Sequence, residues 1–227
     1  YQSANSTSDF VLSFNGSGHI RFNGIGIRRV NGYGSVHVLE GAHHVGISDS
    51  WLTGNVYIST HGSDTVISLR NNNIQGNNID INRFGGDILN GVYVEGNFFN
   101  SLSISNASNI SVASNRGGVD TAAYTLNINL SGVNNAKVEG NKSNTLRASS
   151  SNSVKFLRNR ISDQSDWGIV SGSSTNVEVR GNSLSTPNGI LVDNGEDVDA
   201  IDVYDVKNFA APIGKLPIPV VEIPIEV

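Results

Sequence analysis

Apolar and polar residues alternate along this chain in short bursts, and the bursts recur. One pattern, apolar-x-apolar-x-x-Asn-x-apolar, appears as Ile67-x-Leu69-x-x-Asn72-x-Ile74 and Val92-x-Val94-x-x-Asn97-x-Phe99. It returns as Val154-x-Phe156-x-x-Asn159-x-Ile161 and Val177-x-Val179-x-x-Asn182-x-Leu184. Ile110-x-Val112-x-x-Asn115 and Ala136-x-Val138-x-x-Asn141 lack only the last apolar residue, and Val45-x-Ile47-x-x-Ser50-x-Leu52 carries Ser in the Asn place. Ile25-x-Ile27-x-x-Val30 and Ile201-x-x-Tyr204-x-Val206 are degenerate copies. From Ser50 to Tyr204 there are seven steps over 154 residues, a mean period of 22.

Alternation with period two marks strands that put every second side chain on one face. Each repeat carries a second alternating pair, such as Val56-Ile58, Ile79-Ile81, Leu102-Ile104 and Ile190-Val192, and the residue after each Asn begins a third strand. Gly, Asn, Ser and Asp fill the intervals and suit turns and left-handed backbone. No stretch shows helical apolar periodicity. A fixed repeat of this length predicts a solenoid: an all-β parallel β-helix of about nine rungs, with strands about 4.8 Å apart and a rod of roughly 40 Å. Inward Val, Ile, Leu and Phe would stack along the axis. Asn72, Asn97, Asn115, Asn141, Asn159 and Asn182 would form a ladder, since a side-chain amide donates twice and also accepts.

A leucine-rich repeat shares the L-x-L-x-x-N-x-L core, but it needs more leucines and a helical return segment where this chain has a second strand. The segments Val92-Tyr-Val-Glu-Gly-Asn97-Phe-Phe99 and Val177-Glu-Val-Arg-Gly-Asn182-Ser-Leu184 resemble the repeat of the pectin-lyase-like superfamily over roughly residues 20–209. The resemblance implies a right-handed coil and a protein that acts on or contacts polysaccharide. That superfamily includes pectate and alginate lyases, polygalacturonases, mannuronan epimerases, phage tailspikes and non-catalytic secreted proteins, so fold alone assigns no chemistry. Residues 1–19 read as an entry segment, and Phe10–Phe14 and His19–Phe22 read as strands. Residues 210–227, with four of the five prolines and many Ile and Val, read as an extended tail for packing, linkage or oligomerisation, as in trimeric tailspikes.

Composition narrows the partners. A net charge of −5 argues against nucleic-acid binding. The absence of Cys excludes disulfides and thiolate metal sites. No apolar run approaches the length of a membrane-spanning helix. The expected setting is extracellular, on a cell surface or on a virion.

Candidate chemistry gathers in two places. Glu40, His43 and His44, then His61 and Asp64, then Arg83 and Asp87 fall in the loop after the second strand of three adjacent repeats. In that arrangement Arg83 would neutralise a sugar carboxylate, while His61 or His44 would transfer a proton. Asp64, Asp87 and Glu40 would act as a carboxylate set or hold Ca²⁺; no other cofactor is expected. The Asp-Pro-His of mannuronan epimerases, the Asn-Thr-Asp, Asp-Asp and Gly-His-Gly of polygalacturonases and the Arg-x-Pro-x-x-Arg of pectate lyases are absent. The second set is aromatic: Trp51, Phe98, Tyr124 and Trp167 suit stacking on sugars. His37 and Tyr57 point outward from the second strand, where Asp80, Ser103, Asn127 and Arg147 extend a glycan shelf. Three functions follow as expectations: a glycan-contacting or tailspike-like module, homo-oligomeric with a trimer as one form; a lyase, epimerase or hydrolase on acidic glycans; or a non-catalytic structural rod.

Overall fold

The computed structural model describes residues 10–14, 18–27, 34–38, 42–60, 66–74, 78–83, 88–120, 123–162, 167–186, 189–193, 196–201 and 209–210. Among them there is no helix. The chain coils as a parallel β-solenoid with three faces. One face is a ten-stranded sheet running from Phe10–Phe14 through Gly34–Val38, Asn55–Thr60, Asn78–Arg83, Ser101–Ser105, Asn127–Ser131, Thr145–Ser149, Ile169–Gly172 and Ile190–Asp193 to Phe209–Ala210. The second is a nine-stranded sheet from Gly18–Asn23 to Glu196–Ile201. The third is narrow. It holds two-residue strands such as Gly26–Ile27, Trp51–Leu52 and Asn73–Ile74, three-residue strands at Arg160–Ser162 and Ser183–Ser185, and single bridges at Phe98 and Arg116 between them.

Strand order follows chain order within each of the two large sheets, so every strand pairs with its copy one turn away. Register is held by the apolar pattern, since a slip of one residue would turn each inward side chain to solvent. Val56, Ile79, Leu102, Ile128, Leu146, Ile169 and Ile190 stand in one buried file of the ten-stranded sheet. Ile67, Val92, Ile110, Ala136, Val154 and Val177 do the same in the nine-stranded sheet. Leu52, Ile74, Phe99, Ile161 and Leu184 close the triangle from the third face.

Between the second and third faces the chain turns through one left-handed residue and then the corner residue. The left-handed positions are Gly24, Asp49, Asn71, Gly96, Ser114, Gly140, Arg158 and Gly181. The corner residues are buried and bonded from turn to turn. Asn97 donates from its backbone N–H and from Nδ2 to Asn115 Oδ1, at 2.9 and 3.1 Å. Its second Nδ2 hydrogen reaches Leu69 O at 2.8 Å. Asn115 repeats this to Asn141 and Val94, Asn141 to Asn159 and Val112, and Asn159 to Asn182 and Val138. Ser50 joins the file through its backbone N–H, which donates to Asn72 Oδ1 at 3.1 Å.

The expectation of about nine rungs needs correction. The regular turn, with a buried Asn at its corner, occurs six times. Toward the start Ser takes the corner, and the outer anchors Val30 and Tyr204 lie outside the described residues. The ladder runs one step further at the Ser corner: Ser50 Oγ accepts from the Ile25 backbone N–H at 3.2 Å and donates to Ser48 O at 2.7 Å, so a hydroxyl holds that corner with fewer bonds than an amide.

Candidate functional site

The outer face of the ten-stranded sheet carries one continuous file of polar and aromatic side chains. His37 stands opposite Tyr57, Tyr57 opposite Asp80, Asp80 opposite Ser103, Ser103 opposite Asn129 and Asn129 opposite Arg147. Val170 and Leu191 continue it. Each residue faces outward because its two sequence neighbours are inward apolar residues, for example Val36 and Val38 around His37 or Leu102 and Ile104 around Ser103. Parallel pairing then sets successive members one strand spacing apart, about 4.8 Å.

The upper end of this file is chemically distinct. The His37 and Tyr57 rings meet edge to face with centroids 4.8 Å apart. Asn82 Nδ2 donates to the Tyr57 hydroxyl at 3.2 Å. Burial lowers the His37 imidazole from its ordinary value of 6.5. Burial raises the Asp80 carboxyl from 3.8, partly offset by a hydrogen bond with Asn82. The shifts bring a base and an acid toward each other on either side of a phenol. Toward the other end Ser103 and Asn129 are half-buried and Arg147 is exposed.

Of the residues selected in the early-repeat loops, Arg83 and His44 lie among the described residues. Glu40, His61, Asp64 and Asp87 lie outside the described residues. Arg83 ends the strand Asn78–Arg83, paired with Thr60. His44 belongs to a strand, Ala42–Ser48 of the nine-stranded sheet, rather than to a loop. It is exposed and stacks on His19, with centroids 4.4 Å apart and planes 10° from parallel. Its register partner one turn on is Val66, so among the described residues its imidazole companion comes from the preceding turn.

The aromatic set divides likewise. Tyr57 is on the shelf. Trp51 is exposed on the third face. Trp167 is half-buried before Ile169, and its carbonyl accepts from Thr145 Oγ1 at 3.3 Å. Tyr124 pairs with Val119 in an antiparallel hairpin, Val119–Asp120 with Ala123–Tyr124, that extends the return loop. Asn127 is outside the main file: it pairs with Ser101 and Thr145, and accepts from Asn144 Nδ2 at 3.2 Å. Asn129 holds the position in register with Ser103 and Arg147. The alternation of Ile128 and Leu130 around it was the signal that would have found it. Among the described residues no three His, Asp or Glu side chains converge as metal ligands.

Comparison with protein-family models, with curated proteins and with solved structures gives no match.

Proposed function

We propose that this β-solenoid is an exposed, glycan-contacting module of tailspike or secreted-surface type, which holds a polysaccharide along the outer face of its ten-stranded sheet. The observation that carries this reading is the unbroken register of His37, Tyr57, Asp80, Ser103, Asn129 and Arg147. A file of donors and acceptors repeated at strand spacing suits a polymer that presents hydroxyls at regular intervals, and a ring face such as Tyr57 gives apolar contact for a pyranose. The setting this implies is extracellular or on a virion, with assembly through residues 210–227.

The test is binding to a panel of neutral and acidic polysaccharides by the intact protein and by Tyr57→Ala combined with Arg147→Ala. The expected result is affinity for at least one polymer and a loss of about tenfold or more in the variant, a difference of about 1.4 kcal/mol. Binding unchanged in the variant, or no binding across the panel, would remove the shelf.

One observation favours a second reading, acid–base chemistry on an acidic glycan: the oppositely shifted His37 and Asp80 flank the Tyr57 phenol. Perturbed groups of this kind concentrate at reactive sites. A lyase would produce unsaturated sugars, read as new ultraviolet absorbance during incubation with polyuronates. Tyr57→Phe would abolish that signal. Absence of the signal across the panel removes the lyase reading.

A further inference from the structure

The narrow third face carries a file of a different kind. Register runs without a break through Trp51, Asn73, Phe98, Arg116, Lys142, Arg160 and Ser183. Trp51, Arg116, Lys142 and Arg160 are exposed, and the Arg116 guanidinium lies 6.0 Å from the centre of the Phe98 ring. Three cations thus occupy three consecutive turns at about strand spacing, in a chain whose net charge is −5. Like charges directly opposite on paired strands destabilise the pair.

The nine-stranded sheet shows how this protein otherwise handles such neighbours. Lys137 and Lys155 are also opposite one another, but Lys137 pairs with Glu139 and Lys155 with Glu178. Arg70 likewise pairs with Glu95, and Arg158 with Glu139. Among the described residues, no carboxylate pairs with Arg116, Lys142 or Arg160 on the third face. Nothing among the described residues relieves the repulsion there.

We infer that this face is a second binding site, for a linear carboxylated polysaccharide lying along the solenoid axis. The three cations take successive uronate carboxylates, and Phe98 and Trp51 stack against sugar rings beyond them. The inference is independent of the shelf, since the file lies on another face and reads charge instead of hydroxyls. A single-file chain with one carboxylate per sugar fits a single-file row of cations spaced near the length of one extended pyranose unit. A nucleic acid fits less well. Its dense phosphate charge needs a broad basic surface, whereas on the nine-stranded sheet Arg70, Lys137, Lys155 and Arg158 are each paired with a glutamate.

The experiment measures binding of fluorescent oligogalacturonate, its methyl-esterified counterpart and single-stranded DNA of similar length at several salt concentrations. The proteins are the intact chain, the triple variant Arg116→Gln, Lys142→Gln, Arg160→Gln, and a charge-matched control, Arg70→Gln, Lys137→Gln, Lys155→Gln. Circular dichroism checks that each is folded, and Lys142→Glu alone serves if the triple variant is not. The site requires salt-sensitive binding of the acidic oligomer that falls about tenfold or more in the triple variant and persists in the control. Binding of the esterified chain reports on the shelf and is expected to be the same in all three proteins. Equal loss in the control, equal binding of both oligomers by the third-face file, or tighter binding of DNA would each overturn the inference. So would an intact protein that ignores the acidic oligomer, whatever the esterified chain does.

Discussion

At the scale of single residues, the corner asparagines show why one side chain recurs. From Asn97 to Asn159 each Oδ1 accepts from the backbone and the side chain of the preceding corner, and each Nδ2 reaches both the following amide and a carbonyl of the preceding turn. Asp would lack the donors and Leu would lack both. Asn115→Ala removes the shared acceptor of the Asn97 backbone N–H and Nδ2, and the side-chain donor to Val94 O and Asn141 Oδ1, while Asn141 Oδ1 keeps the backbone N–H of residue 115. Unmet buried groups cost about 1–3 kcal/mol each, so the variant is expected to lose roughly 3 kcal/mol or more in denaturant unfolding. A loss below 1 kcal/mol would mean that these bonds are readily replaced by water. His37 gives a second prediction. Its folded value lies below 6.5, so as pH falls through that value the unfolded chain takes up a proton that the folded state resists. Stability is therefore full above pH 6.5 and declines below it. Melting temperatures measured across this range should fall less in His37→Gln than in the intact protein; parallel curves would refute the assignment.

At the scale of elements, the strand-corner-strand unit explains how much of the fold was readable. Pairs such as Val92 and Val94 expose their strand by alternation, and Asn97 exposes its corner because an amide, donating twice and accepting, meets the most bonds there. The left-handed residue before the corner was harder to read. Gly96 and Gly181 announce it, but Asp49, Ser114 and Arg158 occupy the same conformation without a glycine. Context imposes that geometry: the neighbouring turns bond the corner above and below. The cost depends on local space as well. A Cβ on Gly96 would sit 2.6 Å from Asn71 Oδ1, whereas one on Gly140 would find its nearest neighbour, Ser114 Oγ, at 3.9 Å. Both substitutions to Ala incur the left-handed backbone cost of about 1–2 kcal/mol. Gly96→Ala should destabilise the protein measurably more than Gly140→Ala, and equal losses would show that the close approach is relieved at no cost. The count of turns was overread because it included Val30 and Tyr204 on spacing alone, without an Asn, and both lie outside the described residues.

At the scale of the whole molecule, stacking converts local alternation into long files on each face, and this is where the candidate site outran the sequence. Tyr57, Asp80 and Arg147 could be picked as outward residues one repeat at a time. Which residues share a file depends on registers that vary with loop length, so Asn127 was chosen in place of Asn129. The third-face cations sit in very short strands or single bridges, too brief to display any period. His44 was placed in a loop because strand onset after a variable turn leaves no local mark. The proposed assembly is also a property of this scale. Light scattering is expected to give an oligomer for the full chain and a monomer after removal of residues 210–227, and a monomer in both would withdraw it.

Both binding surfaces exist only if successive turns stack in the register described, and the absence of native Cys allows this to be measured directly. Nitroxide labels on Asp80→Cys and Leu191→Cys are separated by five register steps through Ser103, Asn129, Arg147 and Val170. Pulsed electron resonance should give one narrow distance distribution near 24 Å, five strand spacings, broadened by the label linkers. A broad distribution, or one centred far from that value, would contradict the stacked solenoid and both surfaces built on it.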